Sequence, residues 1–246
     1  CPTSLARADS GSTPSIREES LVKAWMQAIT TLPSNLQTHF TVLEGTLLRC
    51  DCVVSPANSF GIMDDGYDLA LSLAFRGRGA DGTNTLSRHV QRALGARWHG
   101  YLHPGSCLIT SLPSASDVEG GGGDGNPFGA SCIAVLSTMR YPVDVRWHLD
   151  LVYNAVWSLL VELERWNAVR NSTSTHDGPK TKTKTTRRTI ERVLMTGLGT
   201  GYGKVSAARC AQQMILKHFA QGGVPEDAEW ANVDSLIKEV NATLEL

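Results

Sequence analysis

One grammar, used twice, constrains this chain most: a short apolar run, a polar loop, then a helical stretch. The first copy is Cys52-Val53-Val54, then Ser55-Pro56-Ala57-Asn58-Ser59-Phe60-Gly61-Ile62-Met63-Asp64-Asp65-Gly66-Tyr67-Asp68, then Leu69 to Phe75. The second is Ile190 to Met195, the loop Gly197-Leu198-Gly199-Thr200-Gly201-Tyr202-Gly203, and a helix from Ala207 with Ser206 as its N-cap. Apolar runs this short, bounded by turn residues, read as buried strands. A polar loop leaving the carboxyl end of such a strand for a helix is where open α/β sheets bind ligands. Two such loops can face one another across a single crevice.

The remaining pattern repeats the alternation. Helical spacing runs from Ser15 to Leu32, over about 84–94 with Leu86, Val90 and Leu94 on one stripe, over 147–166, and over about 227–244. Strands are expected at 39–43, 47–54, 106–110 and 132–136. Alternating strands and helices define an α/β domain, and near-continuous apolar strands imply a sheet covered on both faces. The fold class is a three-layer α/β/α sandwich with a mixed, mainly parallel sheet. Residues 1–14, rich in Ser, Gly and Pro, read as a disordered N-terminus. Residues 15–246 read as one domain with flexible insertions at 114–130, around Gly120-Gly121-Gly122-Gly123, and at 170–189.

Net charge is −1 over 246 residues, but its distribution is uneven. Residues 170–189 hold six bases and one acid, leaving about −6 on the rest. A nucleic-acid contact is therefore not expected, except weakly through Lys180, Lys182, Lys184, Arg187 and Arg188. The six cysteines form no C-x-x-C and no zinc-finger spacing, so no metal site is expected. Cys50 and Cys52 are expected to share one face of a strand. Buried free thiols fit a reducing compartment, cytoplasmic or nuclear. No secretory signal and no stretch of the roughly 18 apolar residues that span a bilayer occurs, so no membrane partner is expected. A first residue other than Met implies a trimmed or processed start. Trp147, Trp157 and Trp166 are assigned to the core.

In the second loop, glycine at 197, 199, 201 and 203 lets the backbone turn sharply and bring amides close to a ligand. The helix behind it offers free N–H groups and a positive dipole end. Turn material and phosphate binding both account for it. It is neither a Walker loop nor a G-x-G-x-x-G fingerprint. The first loop supplies Asn58, able to donate to and accept from hydroxyls, and Asp64, Asp65 and Asp68. Asp68 is either an N-terminal helix charge or a carboxylate that activates water.

These residues resemble a macrodomain, the ADP-ribose-binding α/β/α module, and within it a microbial and fungal branch whose loop reads S-P-A-N-S-F-G-x-M-D-G-G-x-D. The family's D-A-I-V-N-x-A-N corresponds to Asp51 through Asn58, and its G-x-G-T/S-G-x-x-G/A to the loop Gly197 to Gly203. The resemblance covers roughly residues 38–220. It implies that Asn58 holds the distal ribose and that Asp68, ten residues on, is the catalytic Asp. It places Ser59 and Gly66 at the ligand on one side and Gly197, Gly199, Thr200, Gly201, Tyr202 and Gly203 on the other, with Tyr202 against the distal ribose. The implied activity is hydrolysis of ADP-ribosyl esters, O-acetyl-ADP-ribose or ADP-ribose 1″-phosphate, without metal or cofactor. The implied partner is ADP-ribose or an ADP-ribosylated protein.

Three substitutions set this chain apart. Gly45-Thr46-Leu47 stands where the family has Gly-Asp-Ile, whose Asp reads adenine. Asp65 replaces a glycine of the diphosphate loop. Thr138-Met139-Arg140-Tyr141-Pro142 replaces I-H-x-V-G-P, and Arg140 faces either the ligand phosphates or a surface ion pair. Two other readings stay open: a non-catalytic reader of ADP-ribose, and a degenerate fold without a nucleotide. Loops that point away from each other, or an Asp65 side chain that plugs the gap between them, would overturn this reading.

Overall fold

Consecutive residues of the central strands go to opposite cores, the period-two signature of a sheet covered on both faces. The computed structural model describes residues 3–7, 16–44, 49–75, 85–112, 126–172, 188–216 and 228–246. Its strands are β1 (Thr3–Arg7), β2 (Phe40–Glu44), β3 (Cys52–Ser55), β4 (Cys107–Ser111), β5 (Cys132–Leu136) and β6 (Val193–Met195). Its helices are α1 (Ile16–Thr30), α2 (Ser34–Gln37), α3 (Gly66–Ala74), α4 (Thr85–Trp98), α5 (Leu151–Ser172), α6 (Ala207–Met214) and α7 (Trp230–Asn241). The sheet order is β2-β1-β6-β3-β5-β4, parallel throughout except for the antiparallel pair β4–β5.

Cys52 and Val54 of β3, Cys132, Ala134 and Leu136 of β5, and Val193 and Met195 of β6 pack beneath α1, α5 and α6. Val53, Ile133, Val135 and Leu194, from the same strands, pack beneath α3 and α4. The stripe Leu86, Val90 and Leu94 seats α4 on the second face. Trp166 and Asn167 tie the two feet of the 170–189 segment together: Trp166 Nε1 donates to the Arg188 carbonyl, and Asn167 exchanges two bonds with Ile190.

Four expectations are corrected. Residues 3–7, expected to be loose, form β1, inserted between β2 and β6. Five residues with a single large aliphatic side chain give little local signal, and parallel partners on both sides complete the strand's hydrogen bonds. Helix α5 begins at Leu151, not 147, because Asp144 gathers the preceding turn. The Asp144 carboxylate binds Arg146, its carbonyl takes Trp147 Nε1, and Trp147 stands 76% exposed, stacked on His148 rather than buried. Cys50 and Cys52 face opposite cores, because β3 starts only at Cys52 and the chain bends at Asp51. Residues 126–130, expected in a flexible insertion, are packed: Phe128 lies against Phe75 and its carbonyl accepts from the Cys50 amide.

Gly45-Thr46-Leu47, the rest of 114–130, and Lys180, Lys182, Lys184 and Arg187 lie outside the described residues. Among the described residues no helix is long and apolar enough to cross a membrane.

Candidate functional site

Strands β6, β3 and β5 are adjacent and parallel, so their carboxyl ends emerge along one edge of the sheet. Each feeds a loop there, and the loops after β3 and β6 face one another. Between them lies a cleft of about 220 Å³. Pro56, Asn58, Ile62 and residues 64–68 line one side, and Thr196, Gly197 and residues 199–202 the other. Thr138, Met139 and Pro142 come from the segment after β5, which joins the first loop through a parallel bridge between Asn58 and Met139.

The glycines of the second loop have separate causes. Gly199 takes φ +69°, a left-handed conformation that glycine adopts without strain. A Cβ on Gly203 would collide with the Gly199 carbonyl oxygen and with Val145. Gly201 has neither cause: a Cβ there meets nothing, and its φ is not left-handed. The carbonyls of Gly199 and Gly201 take the amides of Val205 and Lys204, which folds the loop back on itself. The amides of Gly199, Thr200, Gly201 and Tyr202 donate to no protein acceptor among the described residues. Among the described residues they are free donors on a loop that lines the cleft.

In the first loop the Asn58 carboxamide is engaged in its own turn. Its Oδ1 accepts from the amides of Phe60 and Ile62, and its Nδ2 donates to the Ile62 carbonyl at 2.7 Å. Its second N–H has no partner among the described residues. Ser59 is wholly buried beside Ser137 and the Met139 carbonyl, and so braces the loop from behind. Asp65 caps α3, its Oδ1 accepting from the Gly66 amide. Its Oδ2 accepts from the Tyr202 hydroxyl on the opposite loop. That bond holds the Asp65 carboxyl below its ordinary value, with the Gly66 amide adding to the effect, and raises the Tyr202 phenol. Asp65 thus reaches across to the second loop and bridges the gap without filling it: both residues line the cleft of about 220 Å³ that is left.

Asp68 is the buried acid of the site, 8% exposed. Ser55, the last residue of β3, donates to its Oδ1 at 2.6 Å. Burial raises the Asp68 carboxyl to about 7, the Ser55 bond opposes that rise, and the nearby Asp64 adds to it. Among the described residues, three carboxylates and no basic side chain line the cleft. Lys204, just past the second loop, and Arg146 are both drawn to Asp144. Arg140 is exposed and lies outside the lining.

Of the residues singled out from the sequence, Asn58, Gly66, Asp68, Gly197, Gly199, Thr200, Gly201 and Tyr202 come together in the cleft, while Ser59 and Gly203 stand behind it. Ser55 and Thr196 were given no role, and Thr138 was named only within the stretch that replaces I-H-x-V-G-P. Ser55 ends its strand immediately before the loop, and that position was the available signal.

Fold and site together define an α/β/α protein with a small cleft between two loops at the carboxyl edge of its sheet. No family model matches the chain, and no curated protein matches it. Among the solved structures it is similar to are macrodomains. One is the Oceanobacillus iheyensis macrodomain with ADP, 14% identical over 80% of this chain and 85% of that one, at a TM-score of 0.45. A variant of that macrodomain with ADPR is 13% identical over 80% and 88%, at 0.44. The macrodomain of Mycobacterium tuberculosis DarG is 16% identical over 72% and 87%, at 0.44.

Proposed function

We propose that the cleft binds ADP-ribose and that the chain hydrolyses ADP-ribose derivatives: ADP-ribosyl esters, O-acetyl-ADP-ribose or ADP-ribose 1″-phosphate. The observation that carries this reading is the placement of buried Asp68 in a cleft walled by the free amides of the second loop. Backbone amides are the donors that suit a diphosphate where no Lys or Arg is at hand. For an ester, Asp68 takes a proton from water, and the hydroxide adds to the acyl carbon. The bond to the ribose oxygen then breaks, and that oxygen takes up the proton. A carboxyl that titrates at about 7 is matched to this role near neutral pH.

The cleft, at about 220 Å³, is smaller than the roughly 300–1,000 Å³ of pockets that enclose a whole ligand. On this reading the diphosphate and the adjoining ribose occupy the cleft, and the rest of the nucleotide lies outside it. ADP-ribosylated proteins are the macromolecular partners that follow from this reading.

A second reading, a reader of ADP-ribose without turnover, is favoured by the commitment of Asn58 to its own turn. One calorimetric titration with ADP-ribose tests binding: a Kd tighter than about 10 μM, near −6.8 kcal/mol, supports it, and no heat overturns it. Turnover of O-acetyl-ADP-ribose, abolished in Asp68→Ala, separates hydrolase from reader.

A further inference from the structure

Asp68 is the third residue of α3, counted from the cap Asp65. An acid at this position ordinarily stays near solvent, where the helix dipole favours its charge. Asp68 is instead buried at the cleft, and the side chain that meets it is Ser55, which is fully buried itself. A hydroxyl on a carboxylate at 2.6 Å is in the range of a charge-assisted bond. Among the described residues Asp68 is the one acceptor its hydroxyl proton meets. Oδ2 of Asp68 has no protein partner among the described residues.

We propose that Ser55 is the positioning residue of Asp68: it pins Oδ1, presents Oδ2 alone to the cleft, and favours the ionised carboxylate. The assignment rests on the reading of Asp68 as the base. The other titratable groups around Asp68 all work against ionisation or are neutral. Asp64 repels it from the same loop, and the Tyr67 phenol, itself raised by burial, is neutral. Tyr202 on the second loop is a phenol engaged with Asp65. Thr138, Met139 and Pro142, from the segment after β5, carry no charge. Ser55 is therefore the group that offsets burial, and without it the carboxyl stays protonated to higher pH.

The test uses the full chain with ¹³C-labelled aspartate, the Asp68 carboxyl signal being assigned by its loss in Asp68→Asn. Its titration is followed in wild type, Ser55→Ala and Ser55→Cys, the last keeping the volume with a weaker donor. The midpoint is expected to rise by about one unit in Ser55→Ala and by less in Ser55→Cys. Turnover of O-acetyl-ADP-ribose by the same samples should show the acid limb of its pH–rate profile displaced equally. kcat at acid pH should fall about tenfold while KM changes less than about twofold. A midpoint unchanged within roughly 0.2 unit in both variants overturns the assignment, and Ser55→Cys decides alone if Ser55→Ala does not fold. Turnover whose acid limb does not move also overturns it and leaves the hydrolase reading intact. A displaced midpoint without any wild-type turnover overturns the base reading and supports the pinning of Asp68 by Ser55.

Discussion

The hydroxyl of Tyr202 donates to Asp65 at 2.5 Å and joins the two loops across the cleft, between positions 137 residues apart. Both side chains are exposed, Tyr202 by 57%. An ionised carboxylate held here meets any diphosphate that comes to the amides of Gly199, Thr200 and Gly201. Asp65→Gly removes that charge and keeps a residue tolerated at an N-cap. ADP-ribose is expected to bind the variant about three- to tenfold more tightly by calorimetry, with the gain shrinking as salt is added. Tyr202→Phe frees Asp65 but leaves its charge in place, so affinity should change less than about twofold. Weaker binding in Asp65→Gly would mean that the bridge helps form the site rather than obstructing it.

Asp68 also makes stability depend on pH. Its carboxyl is raised from 3.8 to about 7 in the folded chain, so below pH 3.8 it is neutral in both states and costs nothing. Between these values the unfolded chain loses the proton and the folded chain keeps it, so stability falls as pH rises. Above pH 7 the full penalty stands, on the order of 4 kcal/mol at most. Asp68→Asn, which keeps an acceptor for Ser55, should be more stable than wild type at about pH 8 and indistinguishable at about pH 4. Urea melts at the two values check this; an equal difference at both would show that Asp68 does not titrate in that range.

Asn58 gives a second stability test, independent of pH. Its carboxamide closes residues 58–62 with three hydrogen bonds. Asn58→Ala opens that turn and is expected to cost about 1–2 kcal/mol in denaturant melts. Asn58→Asp keeps the acceptor for Phe60 and Ile62 but sets a carboxylate oxygen against the Ile62 carbonyl, so it should recover only part of the loss. If Asn58 served a ligand alone, neither substitution would move the melting curve.

The layered fold and the two loops were legible because strand alternation and glycine punctuation are local signals. Val53 and Val54 announce a doubly covered strand whatever lies elsewhere, and Gly197 to Gly203 announce a sharp loop. What was not legible depends on distant partners. Thr3–Arg7 becomes a strand only because β2 and β6 leave a slot between them. Trp147 carries the helical spacing of α5, yet the Asp144–Arg146 turn keeps it outside the helix. Ser55 meeting Asp68, and Asp65 meeting Tyr202, require the loops to be folded against the sheet and against each other. Residue types and spacing identified the participants but not these contacts.

Two glycines of the second loop separate folding from binding. Gly203 packs against the Gly199 carbonyl and Val145, so Gly203→Ala forces the loop apart. A loss of about 1–3 kcal/mol in thermal or denaturant melts is expected, with weaker ligand binding as its consequence. A Cβ on Gly201 meets open space, and the residue lines the cleft beside free amides. Gly201→Ala should therefore melt within about 0.5 kcal/mol of wild type. Its added methyl stands where a phosphate would approach the backbone, and ADP-ribose affinity should fall about tenfold by calorimetry. Unchanged affinity in Gly201→Ala, with its melt intact, would place the ligand away from this stretch of backbone and undo the diphosphate reading of the loop.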